Sequence, residues 1–91
     1  MNHFAVPANV RYAATTDGAV LLQLRTGQLY GLNPTANAVF TAVRDGSSIE
    51  QITLDLVARY GQNRDRIEPD VRSLIASMLS KRLLYGPVRP A

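Results

Sequence analysis

The sequence predicts an α+β fold: a three-stranded antiparallel sheet followed by three α-helices, in a winged-helix-like arrangement. Three observations predict it. Up to about residue 33, short apolar runs alternate with Asp-Gly and Thr-Gly turn signals. From Asn33-Pro34 onward, apolar residues recur at helical rather than strand spacing. Gly46, Gly61 and Gly86 then stand where three successive helical patterns stop.

The strands come first. Val10-Arg11-Tyr12 reads as a strand at the sheet edge, because Pro7 limits ladder pairing nearby. Thr16-Asp17-Gly18 is a turn, since Asp and Gly tolerate tight-turn backbone angles. Ala19 to Leu24 follows as a strongly apolar strand, and Arg25-Thr26-Gly27 turns the chain again. Gln28 to Leu32 closes a hairpin and forms the third strand. By parity, Leu22, Leu24, Tyr30 and Leu32 are expected on one face, with Leu21 and Leu29 on the other. The hairpin therefore carries apolar groups on both faces, more than a one-sided sheet requires.

The helices follow. Asn33 caps orphan N–H groups of the first helix, and Pro34 suits its first position. Ala36, Val39, Phe40 and Val43 form its buried stripe, and Gly46 fits the left-handed residue after its end. Ser47 and Glu50 have capping-box spacing at the start of the second helix. Ile49, Ile52, Leu56 and Tyr60 make its stripe. Residues 61–65 read as polar linker, and the third helix is expected to begin near Ile67 to Pro69, where proline is tolerated. Ile67, Val71, Leu74, Ile75, Met78 and Arg82 share one arc of that helix, which Leu79 and Leu83 widen. So wide a stripe can touch two surfaces: both are core, or the Ile75/Leu79 edge lines a groove beside the sheet.

Composition narrows the function. At 91 residues, 46% of them hydrophobic and 19% charged, the chain reads as one small domain over 1–91, ordered from about 8 to 84, with a tail at 87–91. A domain this small buries only about 60–65% of its unfolded surface, which leaves little interior for a deep catalytic cleft. There is no cysteine, which excludes disulfides and thiolate chemistry, and the one histidine, His3, stands beside a terminus expected to be loose. No metal or cofactor is expected. Asp65, Glu68 and Asp70 read as the acidic start of a helix, and no phosphate-binding glycine motif occurs. No enzyme is therefore expected. No apolar run reaches the ~18–20 residues of a membrane span, and the first twelve residues lack a signal-peptide pattern, so a cytoplasmic protein without membrane contact is expected. The net charge of +3 is small, and its nine arginines and one lysine are scattered rather than gathered on a recognition helix and wing. A nucleic-acid-binding winged helix is the rival reading, and no nucleic-acid partner is expected.

The run from Asp17 to Ala36, DGAVLLQLRTGQLYGLNPTA, resembles the start of the PqqD-like family: a polar turn, an apolar strand, a turn with Gly, an aromatic, Leu-Asn, then a helix of small residues. The likeness continues through Val39-Phe40, the Asp45-Gly46 break and the Val71 to Leu84 segment with its Leu-Leu ending, covering roughly residues 8–84. One departure is that Arg82 stands where many relatives have a glycine before that Leu-Leu pair. The resemblance implies a RiPP recognition element, a peptide chaperone that binds the leader of a ribosomally made precursor. It implies that the leader adds as a further strand on the third strand, beside the third helix. A stand-alone chain of this size is most similar to the leader-binding proteins of lasso-peptide biosynthesis, which work with a separate cysteine protease that removes the leader. A relative that serves a radical SAM enzyme is the alternative within the family.

On that reading Gln28, Leu29, Tyr30, Gly31 and Leu32 supply the edge, Leu29 also an apolar pocket, and Asn33 beyond them also binds the peptide. Val71, Leu74, Ile75, Met78 and Leu79 supply apolar pockets, and Arg72 and Arg82 can pair with acidic leader residues. Each has a plainer alternative. Tyr30 and Met78 can be core, Gly31 can relieve local packing, and the arginines can be solvated surface.

Overall fold

The computed structural model describes residues 3–88. Its elements run β1 (His3–Ala5), β2 (Val10–Thr15), β3 (Gly18–Gln23), β4 (Gln28–Leu32), α1 (Pro34–Arg44), α2 (Ile49–Tyr60), α3 (Arg64–Ser80) and β5 (Tyr85–Val88). The expected three-stranded antiparallel sheet is β2-β3-β4, and the three expected helices follow it.

The sheet register departs from the parity reading. Gln23 pairs with Gln28, Leu22 with Leu29, Leu21 with Tyr30 and Ala19 with Leu32. Cross-strand partners share a face, so Leu21 lies with Tyr30 and Leu22 with Leu29. The cause is the turn: β3 ends at Gln23, and Leu24 belongs to a connection whose even length couples odd positions to even ones. Ala19, Leu21 and Gln23 are buried on the inner face. At the β2–β3 turn, Gly18 has φ +151°, and a Cβ there would lie 1.9 Å from the Leu32 carbonyl oxygen. Only glycine lets β3 start this close to the end of β4.

α1 begins and ends as the residues dictate. The Ala36 N–H donates to Asn33 Oδ1 at 2.8 Å, Pro34 occupies the first turn, and Ala36, Val39, Phe40 and Val43 are buried. Tyr12 of β2 stacks on Phe40 with ring centroids 5.8 Å apart and donates from its hydroxyl to Asn37 Oδ1 at 2.9 Å. The capping box of α2 is one residue later than expected: Ser48 and Gln51 exchange bonds of 3.2 and 2.9 Å. Its buried residues are Ile52, Thr53 and Leu56, whereas Tyr60 is 45% exposed.

α3 begins a turn earlier than expected. Asn63 Oδ1 accepts from the Arg66 N–H, so the polar linker carries the cap and Pro69 lies inside the helix. Losing one helical bond at Pro69 is outweighed by the burial of Ile67, Val71, Ile75 and Met78 on one stripe. The helix closes in a Schellman motif: Leu83 N–H donates to Met78 O at 2.9 Å and Arg82 N–H to Leu79 O at 3.1 Å. Arg82 takes the left-handed position of that motif, with φ +59°.

The ends are more structured than expected. β1 pairs antiparallel with β5, His3 opposite Val88 and Ala5 opposite Tyr85. Ordered structure therefore extends on both sides of 8–84, and His3, Pro87 and Val88 sit in strands rather than a loose end or tail. Positions 89–91 of the expected tail lie outside the described residues. Phe4 packs against the main core, which gives these short strands a hydrophobic hold that their length alone would not.

Candidate functional site

β4 lies at the end of the sheet order, so its far side carries a row of backbone groups with no strand partner among the described residues. Its side chains alternate. Gln28, Tyr30 and Leu32 share the inner face with Leu21 and Ala19, while Leu29 and Gly31 take the outer face. Leu29 is 68% exposed, a large apolar group left in water beside that edge. At Gly31 an added Cβ would meet nothing within 4 Å, so the strand's outer surface is open there.

A groove of about 410 Å³ runs between β4 and α3. Leu29 to Asn33 form one wall, with Ala36 of α1; Leu74, Ser77 and Met78 of α3, with its C-cap residue Lys81 and Leu83, form the other. The α3 residues are spaced three and four apart, which puts them on one edge of the helix. Lys81 places Nζ 5.6 Å from the Tyr30 ring centroid, and the Tyr30 hydroxyl donates to Gln28 Oε1 at 2.5 Å.

The structure thus brings together Leu29, Tyr30, Gly31, Leu32, Asn33, Leu74 and Met78, with Gln28 alongside through its bond to Tyr30. It sets the other expected residues apart. Val71 and Ile75 are buried at 1–2% exposure and do not line the groove; Val71 instead lines a separate cavity of about 230 Å³ with Leu56 and Ile67. Arg72 is exposed and donates from Nε to Glu68 at 3.5 Å. Leu79 and Arg82 line a separate cleft of about 520 Å³ with Gln23, Arg25 and Tyr85. The helix edge beside β4 is therefore Leu74–Lys81, opposite to the Ile75/Leu79 edge that the apolar stripe suggested. Ser77 and Lys81 escaped the sequence reading because polar residues at the margin of an apolar stripe carry no mark of which neighbour they will face.

A larger concavity, about 610 Å³, lies between the β2–β3 turn, α1 and α2; its rim is polar, with Asp17, Asp55 and Arg59, and it adjoins no open strand edge of β4. Among the described residues, no cluster of His, Asp or Glu could hold a metal ion, and no helix is long and apolar enough to cross a membrane.

The family model for coenzyme PQQ synthesis protein D, PqqD, matches residues 18–84, the span that contains β3, β4 and all three helices. The chain belongs to the PqqD family. Solved structures agree with that membership over nearly the whole chain. TbiB1, solved in complex with the TbiA(beta) leader peptide, is 28% identical, with a TM-score of 0.86 over 93% of this chain and 99% of that one. A lasso peptide synthetase B1, solved with its leader peptide, is 27% identical, with a TM-score of 0.86 over 92% and 99% of the two chains. The PqqD part of Methylobacterium extorquens PqqCD, described as a functional, stand-alone RiPP recognition element, is 28% identical, with a TM-score of 0.75 over 91% and 88%. No curated protein matches the chain. The PqqD-family fold is thus shared, and it places an open β4 edge next to α3 in this member.

Proposed function

We propose that this PqqD-family chain binds the leader segment of a ribosomally synthesised precursor peptide, most consistent with a lasso-peptide precursor, and presents it to a separate enzyme without performing chemistry itself. The observation that carries the reading is the unpaired β4 edge beside an apolar groove, in a chain whose structural relatives were solved with leader peptides. An extended peptide laid along Gln28–Asn33 gains backbone hydrogen bonds from the edge, each worth about 0.5–1.5 kcal/mol net. Its alternate side chains enter the groove against Leu74 and Met78, whose apolar surface supplies affinity that the backbone alone does not. Met78 has the torsional freedom to adapt to a guest side chain. The remaining side chains lie along Leu29 and over Gly31, where no Cβ obstructs them.

The partner we propose is a separate leader peptidase of the cysteine-protease class, or another modifying enzyme. Holding the leader raises the effective concentration of the processing site at that enzyme.

The test uses the leader peptide of the precursor encoded beside this chain's gene, fluorescently labelled. Strand addition predicts saturable binding that N-methylation of alternate leader amides abolishes, while methylation of the intervening amides is tolerated. It also predicts weak salt dependence, in contrast to the steep dependence of nucleic-acid binding. No binding, or binding indifferent to backbone methylation, overturns the reading.

A further inference from the structure

We infer that Lys81 makes the β4–α3 groove selective for a peptide with a carboxylate side chain two residues from an apolar one. This rests on the leader-binding reading and sharpens it to a sequence pattern.

Among the described residues, Lys81 is the one charged side chain that lines the groove; its other walls are apolar or neutral. It takes part in none of the ion pairs among the described residues, which involve Arg44, Arg64 and Arg72. Lys81 is exposed, and its ammonium lies over the Tyr30 ring, 5.6 Å from the centroid. A ring contact uses none of the three N–H donors, so they remain available to a guest. Holding the ammonium there also lowers the entropy lost when a carboxylate arrives.

Strand alternation sets the spacing. A guest strand on β4 turns every second side chain inward, and the inward places that face the groove lie beside Tyr30 and beside Leu32. Lys81 stands over the first. Leu74, seven residues earlier and so about 10 Å along the helix axis from Lys81, lines the same groove with Leu32, Met78 and Leu83, so its apolar surface lies away from the cation. The guest residue beside Leu32 meets apolar surface, and the one beside Tyr30 meets a cation. An antiparallel guest therefore reads apolar-x-acidic, and a parallel guest reads acidic-x-apolar.

The helix end increases the selectivity. A carboxylate beside the last turn of α3 faces the negative end of the helix dipole, which opposes it. Lys81 reverses that local sign. Without Lys81 the same place disfavours an acidic guest.

The test is a set of double-mutant cycles with the labelled leader peptide of the neighbouring precursor. Each Asp or Glu of the leader is replaced by its amide and titrated against the wild type, Lys81→Met and Lys81→Glu. Circular dichroism checks the fold, which an exposed residue at the helix end does not govern. The expected result is one acidic position, two residues from an apolar one, whose amide replacement weakens wild-type binding about fivefold. At that position Lys81→Met loses the preference for the acid and binds the amide slightly better, and Lys81→Glu favours the amide more strongly. Arg66→Gln, on the exposed start of α3, keeps the wild-type pattern. Equal sensitivity of wild type and Lys81→Met at every acidic position overturns the inference, as does tight groove binding by a leader without an acidic residue. Failure of the wild type to bind any leader overturns the leader-binding reading itself, so the two failures are distinct.

Discussion

The side-chain amide of Gln23 donates a 2.7 Å hydrogen bond to the backbone carbonyl of Arg82, 59 residues further along the chain. Gln23 is 2% exposed, and its Oε1 accepts from Asn9 Nδ2 and, at 3.0 Å, from the Arg25 N–H. One buried side chain thus ties the start of β2, the β3–β4 turn and the end of α3 together. All of these lie at the separate cleft lined by Leu79 and Arg82, so Gln23 fixes how the β3–β4 turn meets the end of α3 without touching a guest.

Replacing Gln23 by Leu keeps the volume and removes those bonds. Two backbone groups in part-buried hydrogen bonds, the Arg25 N–H and the Arg82 carbonyl, then lose their partner, at about 1–3 kcal/mol for an unsatisfied group. We expect urea denaturation to show a loss of about 2–4 kcal/mol. A stability change below about 0.5 kcal/mol contradicts this account of Gln23.

Arg82 occupies a left-handed backbone position, φ +59°, at the end of α3. A side chain there costs about 1–2 kcal/mol that glycine does not incur, partly offset by glycine's greater freedom when unfolded. Arg82→Gly is expected to raise stability by about 0.5–1 kcal/mol in urea denaturation. Because Arg82 lines a different cleft from the groove, leader affinity should stay within about twofold.

Gly18 allows no side chain. A Cβ would sit 1.9 Å from the Leu32 carbonyl oxygen, against backbone that cannot rotate away. Gly18→Ala is expected to cost about 3 kcal/mol or more, as strained or overpacked positions do. Thermal unfolding checks this: a melting temperature close to wild type contradicts the β3–β4 packing described here.

Much of the fold was legible because local chemistry and tertiary packing agree. Asn33-Pro34 both caps α1 and ends β4, and the Ala36-Val39-Phe40-Val43 stripe is buried as its spacing requires. The misses fall where two local readings are equally good. Ser47-Ser48-Ile49-Glu50-Gln51 contains two overlapping capping boxes, and only packing selects Ser48 with Gln51. The sheet parity turned on whether Leu24 belongs to strand or turn, a single residue that exchanges the two faces. β1 and β5 were invisible because three and four residues carry no periodicity, and their pairing joins opposite ends of the chain.

The groove was half legible for the same reason. β4 is one contiguous run, so Leu29 to Asn33 could be read together. The α3 wall depends on how the helix is rotated against the sheet. The core takes Val71, Ile75 and most of Met78, and that leaves Leu74, Ser77 and Lys81 beside β4, with Met78 also lining the groove. Hydrophobicity locates the centre of a helix stripe, but which of its two edges meets the guest is decided by the packing of the other helices.

The central claim, that a leader peptide adds to β4 beside α3, is tested most directly by amide chemical-shift mapping. Uniformly 15N-labelled protein is titrated with the unlabelled leader of the neighbouring precursor. The account predicts that the largest shifts fall on Gln28–Asn33 and on Leu74–Lys81, and that the β4 edge amides gain protection from hydrogen exchange. Shifts centred on the cleft between the β2–β3 turn, α1 and α2, with β4 amides unchanged, would contradict it.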